Sequence, residues 1–443
     1  MKLNRSLAIS TIMQECKMGD IIGCLESEFP DLDFQDSDDT KSRNRIFTSR
    51  NTLLTMVLTA VQEDKTLQNS VDLYYMIHQQ HRAQTIKAME QQMEKEQILD
   101  KHSLKKKVGR PKKYAVEIPK SLEKNISLNT AAYSKARKRL PLELTEELFK
   151  ETRIKRAQNS YTHWHGHRVF IGDGTYLQMQ DTKSLKAKYR AMHNADGYPA
   201  GLLEVVIERG TGQIHSFRLS DTHVSELSLF YDMIDEMPTQ SILLLDDLYN
   251  CFEIISKCKR KGIEFVMPAK RERSYETVEV LGPGDEIIRR KTPRSRSKWL
   301  QENEPSNTFF LRRIECYSPG GKKYVLYTSI LDKEIGKDEI QLLYLTRWDV
   351  EVRILEVKTI MDINILRSQT PEMVLKELTV SLATYNLVRK IIYASIKDLP
   401  FSPKEDFIQK FYTLNKDILI DKKGRVYNKW STGRKRIAAS HSK

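Results

Sequence analysis

Tyr344, Arg347, Glu351 and Lys358 fall within the segment YLTRWDVEVRILEVK. On a helix, at about 100° per residue, their directions lie within an arc of roughly 60°. That grouping suits phosphodiester chemistry: the carboxylate can hold a divalent cation while Arg and Lys grip phosphates on either side of a scissile bond. A neighbouring stripe, Val350, Ile354, Val357 and Met361, has the spacing of a core-facing edge and would seat the helix. A solvated, salt-bridged face fits the same pattern, because Arg347 and Glu351 are four apart and would pair on any helix.

Two aspartates add to the group. Asp173 follows the apolar run VFIG and precedes Gly174-Thr175, which places it at the end of a buried strand; Asp246 follows SILLL in the same manner. Each also has a plain reading, Asp173 as the start of an Asp-Gly turn and Asp246 as the cap of a following helix. Taken together, two strand-end aspartates and a helical glutamate supply hard oxygen ligands on rigid elements. Two Mg²⁺ ions about 4 Å apart need such ligands for phosphoryl transfer.

The elements that must position these residues are legible in outline. From Ser49, a possible N-cap, apolar Leu53, Val57, Leu58 and Val61 repeat with helical spacing and predict a helical N-terminal domain. Residues 81–120 turn polar and charged, and read as a linker or arm. Inside it, Gly109-Arg110-Pro111-Lys112-Lys113 resembles an AT-hook core, whose extended backbone and cations suit a minor groove; a solvated charge run is the alternative. NTAAYSKARKRLPLELTEELFKE predicts further helix. From residue 168 strand-like runs follow (RVFIGDGTY, LLEVVIERG, IHSFRLSDT, SILLLDD), then EFVMPAK, TFFLRRIEC and KYVLYTSIL around the basic stretch IIRRKTPRSRSKW. From 337 to about 397 the pattern returns to helix. His163, His165 and His167 alternate like strand residues, and a surface strand is the expected reading over a metal site.

Composition sets the bounds. The 443 residues, 40% of them hydrophobic, predict two or three domains with cores of their own. No run of ~18 apolar residues occurs, and the N-terminus MKLNRSLAISTIMQEC has no signal-peptide pattern. The expectation is a soluble cytoplasmic protein with no membrane partner. Cys16, Cys24, Cys251, Cys258 and Cys316 form no CxxC pair and read as reduced structural thiols. A net charge of +14 would draw the chain to a polyanion, with nucleic acid the natural candidate.

The spacing Tyr-x2-Arg-x3-Glu-x6-Lys, preceded by a DGT element and an apolar strand ending in Asp-x-x-Tyr, resembles the signature of the insertion-sequence-four family of bacterial DDE transposases. RNRIFTSRNTLL and AYSKARKRLPLEL resemble other parts of the same family, so the likeness covers most of the chain. It implies an α/β fold: an RNase H-like catalytic core with a mainly β insertion, preceded by a helical N-terminal domain. The expected spans are a DNA-binding region with its basic arm over 1–125, the first part of the core over 126–260, the insertion over 261–335, core helices carrying Glu351 over 336–400, and a basic tail over 401–443. The resemblance implies Asp173, Asp246 and Glu351 as catalytic metal ligands for two Mg²⁺, with Mn²⁺ able to substitute. Asp247 stays open as an alternative to Asp246, which is selected by counting back from Tyr249. Tyr344, Arg347 and Lys358 would contact DNA near the cleaved end, Arg110, Lys112 and Lys113 would contact it from the arm, and Trp299 is the nearest candidate for stacking there. The implied partners are double-stranded DNA, both terminal inverted repeats and target, and a second protomer, in a bacterial, nucleoid-associated setting. A non-cutting DNA-binding protein of the same fold and a simple Mg²⁺-dependent nuclease are the competing readings.

Overall fold

A computed structural model describes residues 46–103, 129–154, 163–191, 197–269, 274–291, 293, 297–298, 308–318, 321–396, 418–420 and 426–428. Four helices come first: α1 (Ser49–Ala60), α2 (Leu67–Ser103), α3 (Thr130–Arg139) and α4 (Leu142–Glu151). Then follow β1 (His163–Trp164), β2 (His167–Met179), α5 (Lys183–Lys188), β3 (Ala200–Glu208), β4 (Ile214–Asp221), α6 (Glu226–Met233), β5 (Ser241–Leu244), α7 (Phe252–Lys261) and β6 (Glu264–Pro268). The chain continues through β7 (Glu276–Gly282), β8 (Asp285–Arg290), β9 (Phe309–Tyr317), β10 (Lys323–Thr328), α8 (Lys337–Leu345), α9 (Asp349–Ile360), β11 (Ile365–Leu366), α10 (Pro371–Ile396), β12 (Ile418–Ile420) and β13 (Val426–Asn428). The fold is mixed α/β, in two compact units: residues 1–238 with 348–392, and residues 239–347 with 393–443. Among the described residues no helix is long and apolar enough to cross a membrane.

In the first unit, the cap of α1 lies one residue earlier than expected: Thr48, not Ser49, accepts from the Asn51 amide at 3.2 Å. Leu53, Val57 and Leu58 are buried, and Phe47 packs its ring against Tyr74 and Tyr133. The arm expected over 81–120 is helical as far as Ser103, because α2 runs on through it. The reason is propensity: TIKAMEQQMEKEQ is built of strong helix formers, and a helix polar all round needs no core of its own. Buried Lys376 of α10 donates to the Arg137 and Lys138 carbonyls at 3.5 and 3.1 Å, placing a cation at the C-terminus of α3.

The sheet of this unit runs β4-β3-β2, all antiparallel, with β11 parallel to the end of β2. Every residue of β3 is buried, as its near-continuous apolar sequence requires of a central strand. Helix α10 closes over the β3–β4 connection: Asn386 exchanges bonds of 2.8 and 2.9 Å with the Ile214 backbone, and Arg389 donates to the Thr211 carbonyl at 2.9 Å. The His163, His165 and His167 segment is a hairpin rather than a run of strand. His165 and Gly166 take positive φ of 46° and 80° between β1 and β2, as a tight two-residue turn demands.

In the second unit β5 pairs parallel with β6, and β6-β10-β9-β8-β7 continue antiparallel. β7 and β8 escape the sequence reading because their alternation is charged: on ETVEVLG both faces are largely exposed. Arg312, 2% exposed, reaches from β9 to Asp285 of β8 at 2.8 and 2.6 Å and to the Asp332 and Ile335 carbonyls at 2.9 and 2.8 Å. This one guanidinium fastens the loop that leads into α8.

Candidate active site

Asp173 is not at a strand end. It occupies the seventh of thirteen positions in β2, opposite Val205 of β3, and the strand continues to Met179. Gly174 makes no turn here; it is small because a Cβ would come within 2.8 Å of the carboxylates of Glu204 and Glu226. Sheet alternation puts Gly174 and Glu204 on one face, and Asp173, Thr175, Leu203 and Val205 on the other.

The second face is the one that α9 covers. Val350, Val357 and Met361 are buried, and Ile354, Val357 and Lys358 line a small pocket with Thr175, Leu203 and Val205. Lys358 Nζ donates to Thr175 Oγ1 at 3.0 Å and to the Tyr176 carbonyl at 3.1 Å, and burial holds its pKa below the usual lysine range. Glu351 stands two turns earlier on the same stripe, about 10 Å along the axis, and is exposed. Asp173 and Glu351 therefore belong to the same side of this unit's sheet, the side on which Lys358 is anchored.

The signature does not sit on one continuous helix as the spacing predicts. α8 ends at Leu345, a 3-10 turn spans Thr346–Trp348, and α9 begins at Asp349. At the break, Thr346 turns its hydroxyl back onto the Leu343 carbonyl at 2.7 Å. Tyr344 and Arg347 accordingly fall in the second unit, and Glu351 and Lys358 in the first.

Within the second unit, Tyr344 and Arg347 meet the paired aspartates. Asp246 lies two residues beyond β5 and caps a 3-10 turn, Asp247–Tyr249, by accepting from the Leu248 amide at 2.7 Å. Burial lifts Asp246 above the usual carboxylate range, the Arg347 cation opposes that, and Asp247 adds to it. Tyr344, 8% exposed and hydrogen-bonded to Arg347, is pushed up to about 12 by burial. The cation is thus oriented by a neutral hydroxyl, beside two carboxylates.

Arg110, Lys112, Lys113 and Trp299 lie outside the described residues. Among the described residues no group of three or more His, Cys, Asp or Glu side chains suited to a metal ion occurs, the three histidines of the β1–β2 hairpin included. Cys251, Cys258 and Cys316 are free thiols, and burial raises all three. The sequence reading passes over Thr175 and Glu204. Alternation along DGT could have revealed the first, since it shares Asp173's face; a lone Glu in the apolar run LLEVVIE was the signal for the second.

Comparison with known proteins gives a consistent picture. The family model described as "Transposase DDE domain" matches residues 164–387, just over half of the chain. "Transposase InsG for insertion sequence element IS4" of Escherichia coli (strain K12) is 26% identical over 269 residues, covering 58% of this chain and 60% of InsG. "Putative transposase InsZ" of the same organism is 25% identical over 161 residues, covering 34% of this chain and 54% of InsZ. The chain thus spans a little over half the length of each of these relatives.

Proposed function

Because the chain belongs to the DDE transposase family, of the insertion-sequence-four type, we propose that it is a DNA transposase that cuts at the ends of an insertion sequence and joins the freed 3′-OH to target DNA. Its fold is read as an RNase H-like core carrying a mainly β insertion, preceded by a helical DNA-binding region. The observation that carries the reading is Asp173 on the sheet face where α9, bearing Glu351 and Lys358, is anchored.

Asp173, Asp246 and Glu351 would hold two Mg²⁺, or Mn²⁺, since hard carboxylate oxygens suit these ions. When bound, such ions activate a water and stabilise the leaving oxygen. The chain's other residues supply binding and orientation. Lys358 and Arg347 offer cations to phosphates on either side of the scissile bond, and Tyr344, protonated at every physiological pH, can donate to a phosphate oxygen. Arg110, Lys112 and Lys113 would track the DNA from the N-terminal region, and Trp299 would stack near the cleaved end. Two protomers would act together, because an insertion sequence has two ends to synapse. The setting would be the bacterial cytoplasm, with the protein on the nucleoid.

The test is to incubate the protein with Mg²⁺, a labelled terminal inverted repeat and a target plasmid. Cleavage at the end followed by joining is expected, with both lost in Glu351→Gln while DNA binding is kept. Joining that persists in Glu351→Gln would overturn the reading. Cleavage without joining would mark a plain nuclease, and binding without cutting a non-catalytic relative.

A further inference from the structure

Glu356 is 1% exposed, in the middle of the helix that carries Glu351. Its carboxylate accepts from Arg353 Nη1 at 2.7 and 2.9 Å, and from the Tyr385 hydroxyl of α10 at 2.9 Å. Tyr385 is itself 1% exposed. A carboxylate taken out of water adds little net stability even when paired, and an apolar residue of similar volume would serve packing as well. The arrangement calls for a purpose other than stability.

The helical wheel supplies one. With Glu351 at zero and about 100° per residue, Lys358 lies about 20° away and the buried stripe of Val350, Val357 and Met361 about 100° to one side. Glu356 and Arg353 fall at about 140° and 200°, on the far side from Glu351. The apolar stripe seats α9 on β2 and β3, yet apolar contact is non-directional, and the Lys358 bonds to Thr175 and Tyr176 hold one flank only, at the end of a long flexible side chain, which leaves the helix some freedom to roll. A bond from Tyr385 to a charged acceptor on the opposite flank is directional, and it removes that freedom. The freedom matters: a roll of 10° moves a carboxylate some 6–7 Å from the helix axis by about 1 Å, beyond the tolerance of a catalytic constellation.

We infer that Glu356 and Tyr385, with Arg353 balancing the buried charge, are positioning residues that set the roll of α9 and thereby aim Glu351. The inference rests on Glu351 being a metal ligand. The test uses the full chain bound to a terminal-repeat duplex and compares Tyr385→Phe and Glu356→Gln with wild type. Three quantities are read: DNA affinity without metal, Mn²⁺ occupancy by electron paramagnetic resonance, and single-turnover cleavage. In both variants DNA affinity stays within about twofold, while half-saturation by Mn²⁺ rises and cleavage falls, each by about 10-fold, as for groups that orient a metal ligand. Unchanged Mn²⁺ half-saturation overturns the inference, whether cleavage is intact or has fallen only in proportion to the folded fraction seen by circular dichroism. Should Tyr385→Phe fail to fold, Glu356→Gln, which keeps the shape but has one acceptor oxygen and no charge, decides the matter. Glu351→Gln separates the two levels: if it still joins ends, the transposase reading itself falls, whereas an inactive Glu351→Gln beside wild-type behaviour of both positioning variants sinks this inference alone.

Discussion

Lys358 donates to Thr175 Oγ1 across 3.0 Å, tying α9 to β2 two residues beyond Asp173. If Lys358 also meets a DNA phosphate, Lys358→Ala should weaken binding to a terminal repeat with little dependence on sequence. The slope of log affinity against log salt should become shallower by about one. Fluorescence anisotropy across a salt series measures it, and an unaltered slope would remove Lys358 from the DNA contact.

The two adjacent aspartates should separate sharply. Asn at 246 can still accept from the Leu248 amide, so Asp246→Asn is expected to fold and bind DNA. It should nevertheless lose about 1,000-fold or more in end cleavage, the equivalent of roughly 4 kcal/mol in barrier. Asp247→Asn should stay within about tenfold of wild type. The reverse order in a single-turnover assay would transfer the metal-ligand role to Asp247.

Arg312 and Asp285 make a buried pair whose loss should be felt in the second unit. Asp285→Ala leaves the guanidinium without its carboxylate and should cost about 3–5 kcal/mol in urea unfolding. A cost under about 1 kcal/mol would mean that water reaches Arg312.

His215 gives the first unit a pH dependence. Its ring lies 4.9 Å from Phe170, and burial, reinforced by the Arg153 cation, pushes its pKa down from 6.5 to about 4. Because the folded value lies below the unfolded one, the contribution is complete above pH 6.5 and is lost as the pH falls toward 4. With the ring partly open to water, the loss should be about 1–2 kcal/mol. In His215→Gln the fall over this window should be smaller by that amount; equal slopes in chemical denaturation would refute it.

Apolar runs were the most legible feature of the sequence. VFIG, LLEVVIE and SILLL are buried strands, and Val350, Val357 and Met361 are the buried edge of α9. Burial follows from side-chain type and period, which a sequence displays directly. The break at Thr346 was hidden because the segment carries no glycine or proline to mark it. The mid-strand position of Asp173 was hidden because Asp-Gly carries the usual mark of a turn, and only the Glu204 and Glu226 carboxylates explain the glycine. The polar half of α2 looked like a linker because core-forming residues, not helix formers, were the criterion. Tyr344 and Arg347 beside Asp246 bring together residues about a hundred positions apart, which no local pattern records.

The place of Asp173 within β2 also bears on motion. Residues 170–178 are paired without interruption to β3, a strand buried along its whole length. Backbone amides in such a strand exchange with solvent only through openings close to global unfolding. The backbone that carries Asp173 is therefore as slow to yield as the core itself, and any backbone rearrangement that accompanies the proposed DNA binding must be made by what approaches it.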